Sequence, residues 1–398
     1  MPKLLVLKEP ARTGSAPQGF ALWELGFRPF YLLASVFAAL SIALWAWQYA
    51  GFLPEPYPHG PLWHAHEMLF GFTLAVVAGF LFTAVRNWTQ KATPAGPWLA
   101  ALALLWIAGR VLVLTPYATM AAIVNVAFPL SAAVGIAIPL LRARNKRNYF
   151  FIGLLVAIAL AQLAFHVSQL RDVPLPEDFG IRVGLDLVLF IVTVMGGRVI
   201  PMFTNNGIPG CSAVRHPGLE RVVLGSTLAV LALDVVGLDG ATLDAVLAVC
   251  AIAQLGRLAL WQPWRTLRVP LVWILHAAYL WIPMHLALRL VANFDLAPGV
   301  LATHALTIGA IGGLTLGMMV RTARGHTARP LRADRYETTA FVLVMLACVL
   351  RVLGPIVVPS QYVASVIASA VAWSLAFALY AVRYAIVLTR PRLDGKPG

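Results

Sequence analysis

The sequence predicts an all-α polytopic membrane protein with about twelve transmembrane helices. Of its 398 residues, 60% are hydrophobic and only 12% are charged, and the mean hydropathy is +0.81. A soluble domain usually carries about a quarter charged residues. Apolar runs of about 20 residues, the length needed to cross a bilayer, recur from one end of the chain to the other. Composition and recurring runs together indicate helices that span a membrane.

The apolar runs divide the chain into twelve predicted spans. Only Thr115-Pro116-Tyr117 separates the third from the fourth, so an error in the count is most expected there. No loop is long enough for a soluble domain, so residues 1–398 are predicted to form a single integral membrane domain. The predicted spans are 29–49, 63–85, 97–114, 118–141, 148–170, 181–203, 219–238, 241–261, 269–292, 298–321, 336–357 and 361–389.

Basic residues predict how the spans are oriented. With twelve spans, the termini and the even-numbered loops lie on one side, and that side holds 24 of the 30 lysine and arginine residues. The positive-inside rule then makes both the N-terminal segment 1–26 and the tail 390–398 cytoplasmic. The net charge of +14 is therefore mainly a topology signal, with attraction to anionic lipid as a secondary effect. A nucleic-acid partner is not predicted.

Six histidines fall inside predicted spans. One of them, His276, lies in an inner half, and the other five lie in outer halves. These five are His64, His66, His166, His285 and His304. Neutral imidazole is a common ligand of haem iron, copper and zinc, and helical bundles build metal sites from side chains on facing helices. The pattern predicts a metal site near the outer face, although any one histidine could instead hydrogen-bond a neighbouring helix.

The second span carries His64, His66 and Glu67 within one helical turn. At about 100° per residue, the two imidazoles point roughly 200° apart and cannot bind the same metal from a regular helix. The helix then serves two centres, or one centre and one supporting partner. Glu67 lies about 60° from the direction of His64 on the helical wheel. It could orient that imidazole, carry protons, or lie in interfacial water.

Four arginines are candidates for a functional role. Arg110, Arg289 and Arg351 lie toward the outer ends of their spans, where guanidinium groups could pair with the carboxylates of a haem. Arg198, near the inner end of the sixth span, could support a site or carry protons, or it could reach the cytoplasmic surface.

Other span residues have simpler interpretations. Gly309, Gly313 and Gly317 form a stripe that favours close helix packing, with a flat surface for a haem as the alternative. Three aspartates at outer span ends are expected to contact water. They are Asp186, Asp234 and Asp244.

Six motifs, spread in order over nearly the whole chain, resemble the NnrS family. They are Phe27-Arg28-Pro29-Phe30, WHAHEMLFGF at 63–72, GGRVIPMFT at 196–204, PLVWILH at 270–276, HALTIGAIG at 304–312 and RTARGHT at 321–327.

The resemblance implies a multi-pass protein of the bacterial inner membrane that binds haem and copper. It also implies a role in resistance to nitric oxide and nitrosative stress, tied to denitrification, with nitric oxide as the small ligand and an unidentified electron donor. By motif, it makes His64, His66, His276 and His304 the strongest ligand candidates. His326 also lies in a matching motif, but the predicted topology makes it cytoplasmic and favours a structural role or a separate site.

There is a distant architectural likeness to the haem–copper oxidase core, which has twelve spans and haem ligands on spans 2 and 10. Here the His-x-His pair lies on span 2 instead of span 10, so the ligand assignment does not transfer.

Three functions stay open at this point. The protein could be a haem and copper oxidoreductase that metabolises nitric oxide, a sensor or metal-handling protein without turnover, or an ion-coupled transporter that uses Glu67 and the histidines.

Overall fold

The computed structural model describes residues 19–49, 52, 58, 60–170 and 173–396. Most of the predicted N-terminal segment 1–26 lies outside these residues. Within them the chain is helical and contains no strand, as expected for an all-α fold.

Twelve long helices make up the described part of the chain. They are α1 Phe27–Tyr49, α2 Pro61–Thr89, α3 Gly96–Leu112, α4 Ala118–Arg142, α5 Phe150–Ser168, α6 Phe179–Gly207, α7 Pro217–Val236, α8 Ala241–Leu260, α9 Pro270–Asn293, α10 Gly299–His326, α11 Arg335–Val352 and α12 Tyr362–Thr389.

Each helix falls on one predicted span, and its ends lie within five residues of the predicted ones. Among the described residues, ten candidate spans are long and apolar enough to cross a membrane. The two remaining long helices are α3, which is apolar but has 17 residues, and α7, which carries charges at both ends. The predicted all-α polytopic architecture is therefore confirmed.

The helices form a closed bundle. Consecutive helices from α3 onward pack mostly side by side, and α12 returns to pack against α1. The indole N–H of Trp373 in α12 donates a hydrogen bond to the carbonyl oxygen of Ala38 in α1 at 3.1 Å. Of the ten apolar spans, α2 is the most deeply buried. Side chains on α2 therefore face protein on several sides.

Two helices widen into π-helical turns at corresponding places. The first π segment is Glu67–Thr73 in α2, and the second is Ala305–Gly312 in α10. Each begins directly after a histidine predicted to bind metal, His66 or His304. Such turns are rare and occur frequently at functional sites. The π turns therefore mark the same two helices that the histidine pattern singles out.

The glycine stripe of α10 serves helix packing. A Cβ atom at Gly313 would lie 2.6 Å from the Cβ of Ala278 in α9, and one at Gly317 would lie 3.0 Å from Leu275 Cδ2. Gly309 faces the same helix. The absence of side chains here lets α9 and α10 approach closely, which is the favoured of the two predicted roles.

Candidate functional site

A cavity of about 240 Å³ lies between α1, α2, α6, α10, α11 and α12. His64 from α2 and His304 from α10 both line it, and we call it the His64–His304 cavity. Arg351 from α11 also lines it. Most of the wall is apolar, and its larger side chains include Ile42, Met68, Phe72, Leu185, Ile308 and Trp373.

The hydrogen bonds around this cavity leave nitrogen atoms available. The Nδ1–H of His304 donates to the carbonyl oxygen of Val300 at 2.8 Å, so Nε2 keeps its lone pair in that tautomer. The His64 ring stacks on Trp45 with centroids 4.6 Å apart. Nη1 of Arg351 is buried and has no hydrogen-bond partner among the described residues. The cavity thus combines imidazoles, an apolar wall and a cation that can take a carboxylate.

A second group of polar side chains lies on the opposite side of α2, between α2, α3, α4 and α5. All its members are buried, and we call it the His66–His166 cluster. It consists of His66, Glu67, Arg110, Asn125, Gln162 and His166.

Glu67 is at the centre of this cluster. Its Oε1 accepts hydrogen bonds from Arg110 Nη1 at 2.6 Å and from His66 Nδ1 at 2.7 Å. Arg110 also donates to the side-chain oxygen of Asn125. The amide nitrogen of Gln162 lies 3.3 Å from that oxygen and 3.5 Å from His66 Nε2. The guanidinium and the hydrogen bonds compensate the burial of the carboxylate.

These bonds prepare His66 to act as a ligand. Because its Nδ1–H is held by the carboxylate, Nε2 carries the lone pair, as in carboxylate–histidine–metal arrangements. The ring of His166 lies 5.0 Å from that of His66, centroid to centroid, and edge-on to it. Oε2 of Glu67 accepts no hydrogen bond from the described residues. Among those residues, no group of three or more His, Cys, Asp or Glu side chains has the geometry to hold a metal.

The structure divides the predicted shared site into two. His64 and His66 face opposite sides of α2, as the helical spacing predicts, and each meets an imidazole from another helix. The predictions for Glu67 were wrong in two respects, because it contacts His66 instead of His64 and is buried instead of lying in interfacial water. The reason is Arg110, whose guanidinium approaches from α3 on the His66 side.

The remaining predicted histidines and Arg198 lie apart from both sites. His285 donates from Nδ1 to the carbonyl oxygen of Ala302 at 2.8 Å. His276 is hydrogen-bonded to the Thr204 hydroxyl at 2.8 Å.

His326 is the last residue of α10, and its ring lies 5.6 Å from that of Phe27. Arg198 donates to Asn148 at 2.8 Å and stands over the Phe150 ring.

Of the three arginines predicted to pair with a haem, only Arg351 lines the His64–His304 cavity. Arg110 belongs to the other cluster, and Arg289 forms ion pairs with Asp186 and Asp234. The prediction that these two aspartates contact water was wrong, because neighbouring helices and Arg289 cover them.

Sequence reasoning missed several buried polar residues. Asn125 and Gln162 interrupt apolar runs, and such isolated amides are a signal that could have identified them. It also missed Arg257. This arginine is buried and forms a bidentate ion pair with Glu220. A Cβ at Gly197 would collide with the Arg257 guanidinium, so this glycine makes room for it.

Fold and site together define a polytopic helical membrane protein with two histidine sites on opposite sides of one helix. The sequence model of the NnrS protein family matches residues 21–392, and the chain therefore belongs to the NnrS family. Membership in this family suggests a role in the response to nitric oxide. No curated protein matches the chain.

Proposed function

We propose that this protein binds haem and copper in the bacterial inner membrane and protects against nitric oxide by binding or consuming it. The observation that carries the proposal is the pair of histidine sites on the two sides of α2. Each has imidazoles from two helices, and their surroundings differ in the way that haem and copper require. Haem is assigned to the His64–His304 cavity and copper to the His66–His166 cluster.

The residues of the cavity fit a haem. His304, with Nδ1–H bonded to Val300 and Nε2 left with its lone pair, and His64 are the residues that would hold the iron. The apolar wall suits the macrocycle, and the unpaired Arg351 nitrogen suits a haem carboxylate, because a buried guanidinium without a partner is costly. When bound, the iron would supply a site that takes nitric oxide.

The residues of the cluster fit a copper ion. Imidazole is a good copper ligand, and Glu67 fixes the tautomer of His66 so that Nε2 is available. His66 and His166, whose rings lie 5.0 Å apart, are the residues that would hold the ion. The free Oε2 of Glu67 lies in the same buried group and can accept a proton.

The apolar cavity also suits the substrate. Nitric oxide is small and uncharged, so it can reach a site inside a bundle of membrane helices, whereas charged solutes face a high cost there. Met68 and Phe72 of α2 and Ile308 of α10 line the cavity with apolar side chains.

We expect the reduced, metal-loaded protein to bind nitric oxide under anaerobic conditions, with a shift of the haem absorption band. A nitric oxide electrode then distinguishes consumption from simple binding. We expect His66→Ala to retain the spectral shift, because it leaves the His64–His304 cavity intact. The same variant should lose any consumption of nitric oxide, because it removes an imidazole from the proposed copper site. A fully loaded, reduced protein that neither shifts its band nor consumes nitric oxide would refute the proposal.

A further inference from the structure

A buried pair of carboxyl groups lies outside both histidine sites. Asp186 of α6 and Asp234 of α7 have side chains that are 5% and 8% exposed, and both contact Arg289 of α9. Arg289 Nη2 lies 2.8 Å from Asp234 Oδ1, and its Nη1 lies 3.5 Å from Asp186 Oδ1. The two carboxyl groups therefore face the same guanidinium. Oδ2 of each receives no hydrogen bond from an N–H or O–H of the described residues.

The charge balance of this group is unlike that of the other buried acids. Among the described residues, three other acids with little exposure each pair with a guanidinium that no second acid of little exposure shares. These pairs are Glu67 with Arg110, Glu220 with Arg257 and Glu337 with Arg324. Asp186 and Asp234 instead share Arg289, which offsets one negative charge and leaves the second uncompensated. Two ionised carboxylates held at one guanidinium repel each other, so such a pair takes up one proton.

Other charged groups face the pair without altering this balance. The positive charge of Arg182 attracts both carboxyl groups. Its side chain is half exposed, however, and Asp178 at 3.3 Å offsets its charge. Asp239, in the exposed loop after α7, attracts the Arg289 guanidinium electrostatically and adds a negative charge to the group. The pair therefore retains an excess of negative charge that a proton can neutralise.

An unpaired imidazole nitrogen belongs to His285, on the same helix as Arg289. His285 precedes Arg289 by four residues and so lies on the same face of α9, and it interacts electrostatically with both Arg289 and Asp234. Its Nδ1–H is held by Ala302, and its buried Nε2 has no hydrogen-bond partner among the described residues. This nitrogen can accept a proton.

We propose that Asp186 and Asp234 form a proton-binding site that holds one proton between them at neutral pH, with His285 Nε2 as the neighbouring acceptor. The site goes beyond the proposed metal binding. It lies at the same end of the bundle as the His64–His304 cavity, because Ala302 precedes His304 by two residues. A proton taken up or released here changes the charge beside the first turn of α10.

Infrared spectroscopy tests the site, since a protonated carboxylic acid has a carbonyl-stretch band that shifts in D2O. We expect this band in the purified protein at neutral pH, whether or not haem and copper are bound. Asp186→Asn and Asp234→Asn should each abolish it, because the remaining carboxyl group then has Arg289 to itself and ionises. Asp244→Asn is the matched control, since Asp244 is a partly exposed carboxylate that accepts a hydrogen bond from Asn293, and it should keep the band.

The proposal is overturned if the wild-type protein lacks the band at neutral pH, or if the band survives both substitutions. Asparagine keeps the shape of aspartate and carries no charge, so we expect both variants to fold. If either variant fails to fold, the wild-type protein can be titrated to high pH instead. The band must then disappear as the proton leaves the pair. Since none of these measurements needs bound metal, they can fail or succeed independently of the haem and copper assignment.

Discussion

His304→Ala is expected to remove most of the haem absorbance of the purified protein while the protein still inserts into the membrane. His304 offers Nε2 to the His64–His304 cavity, with Nδ1–H anchored to Val300 one turn earlier. Alanine has no ligand atom, so the cavity loses one of the imidazoles that would hold the iron. The substitution removes a partly buried side chain beside an existing cavity, so we expect little effect on folding. An absorption spectrum with a pyridine haemochrome assay measures the result.

His276→Ala is the matched control for this prediction. It also removes a buried imidazole, but one that is hydrogen-bonded to Thr204 and lies outside the cavity lining. The control should keep the haem absorbance. If His304→Ala retains a full haem complement, or if His276→Ala loses as much as His304→Ala does, the cavity is not where the haem binds.

Arg110→Ala is expected to be the most destabilising single change in the His66–His166 cluster. It leaves the Glu67 carboxylate buried without its guanidinium, and breaking a buried ion pair in this way costs about 3–5 kcal/mol. The thermal unfolding midpoint in detergent and the yield of folded protein should both fall. Adding Glu67→Gln to Arg110→Ala should restore part of the loss, because the uncompensated charge is then gone.

Arg182→Ala gives the comparison for an exposed ion pair. Arg182 and Asp178 are 3.3 Å apart and both about half exposed, and such pairs contribute about 0–1 kcal/mol. We therefore expect a near-unchanged midpoint for Arg182→Ala. A small effect of Arg110→Ala, comparable to that of Arg182→Ala, would contradict the central position of the Glu67–Arg110 pair.

The helices could be predicted from the sequence because the membrane imposes a simple length and composition on each span. The opposite directions of His64 and His66 could also be predicted, since the helix remains regular through both residues and widens only from Glu67. These features depend on local geometry, which the sequence states directly.

The partners of the charged residues could not be predicted, because they depend on which helices are neighbours. Glu67 turns to His66 since α3 brings Arg110 to that side, and nothing in the second span indicates this. Likewise, Asp186 and Asp234 are at span ends that a topology prediction places near water. Only the packing of α6, α7 and α9 brings them to Arg289.

The haem and copper content of four single variants, measured against the wild type, tests most directly whether the two sides of α2 are separate centres. We expect His64→Ala and His304→Ala to lose haem and keep copper. We expect His66→Ala and His166→Ala to lose copper and keep haem. If all four variants lose both groups in parallel while remaining folded, or if copper follows His64 and His304, then the two sides of α2 are not separate centres.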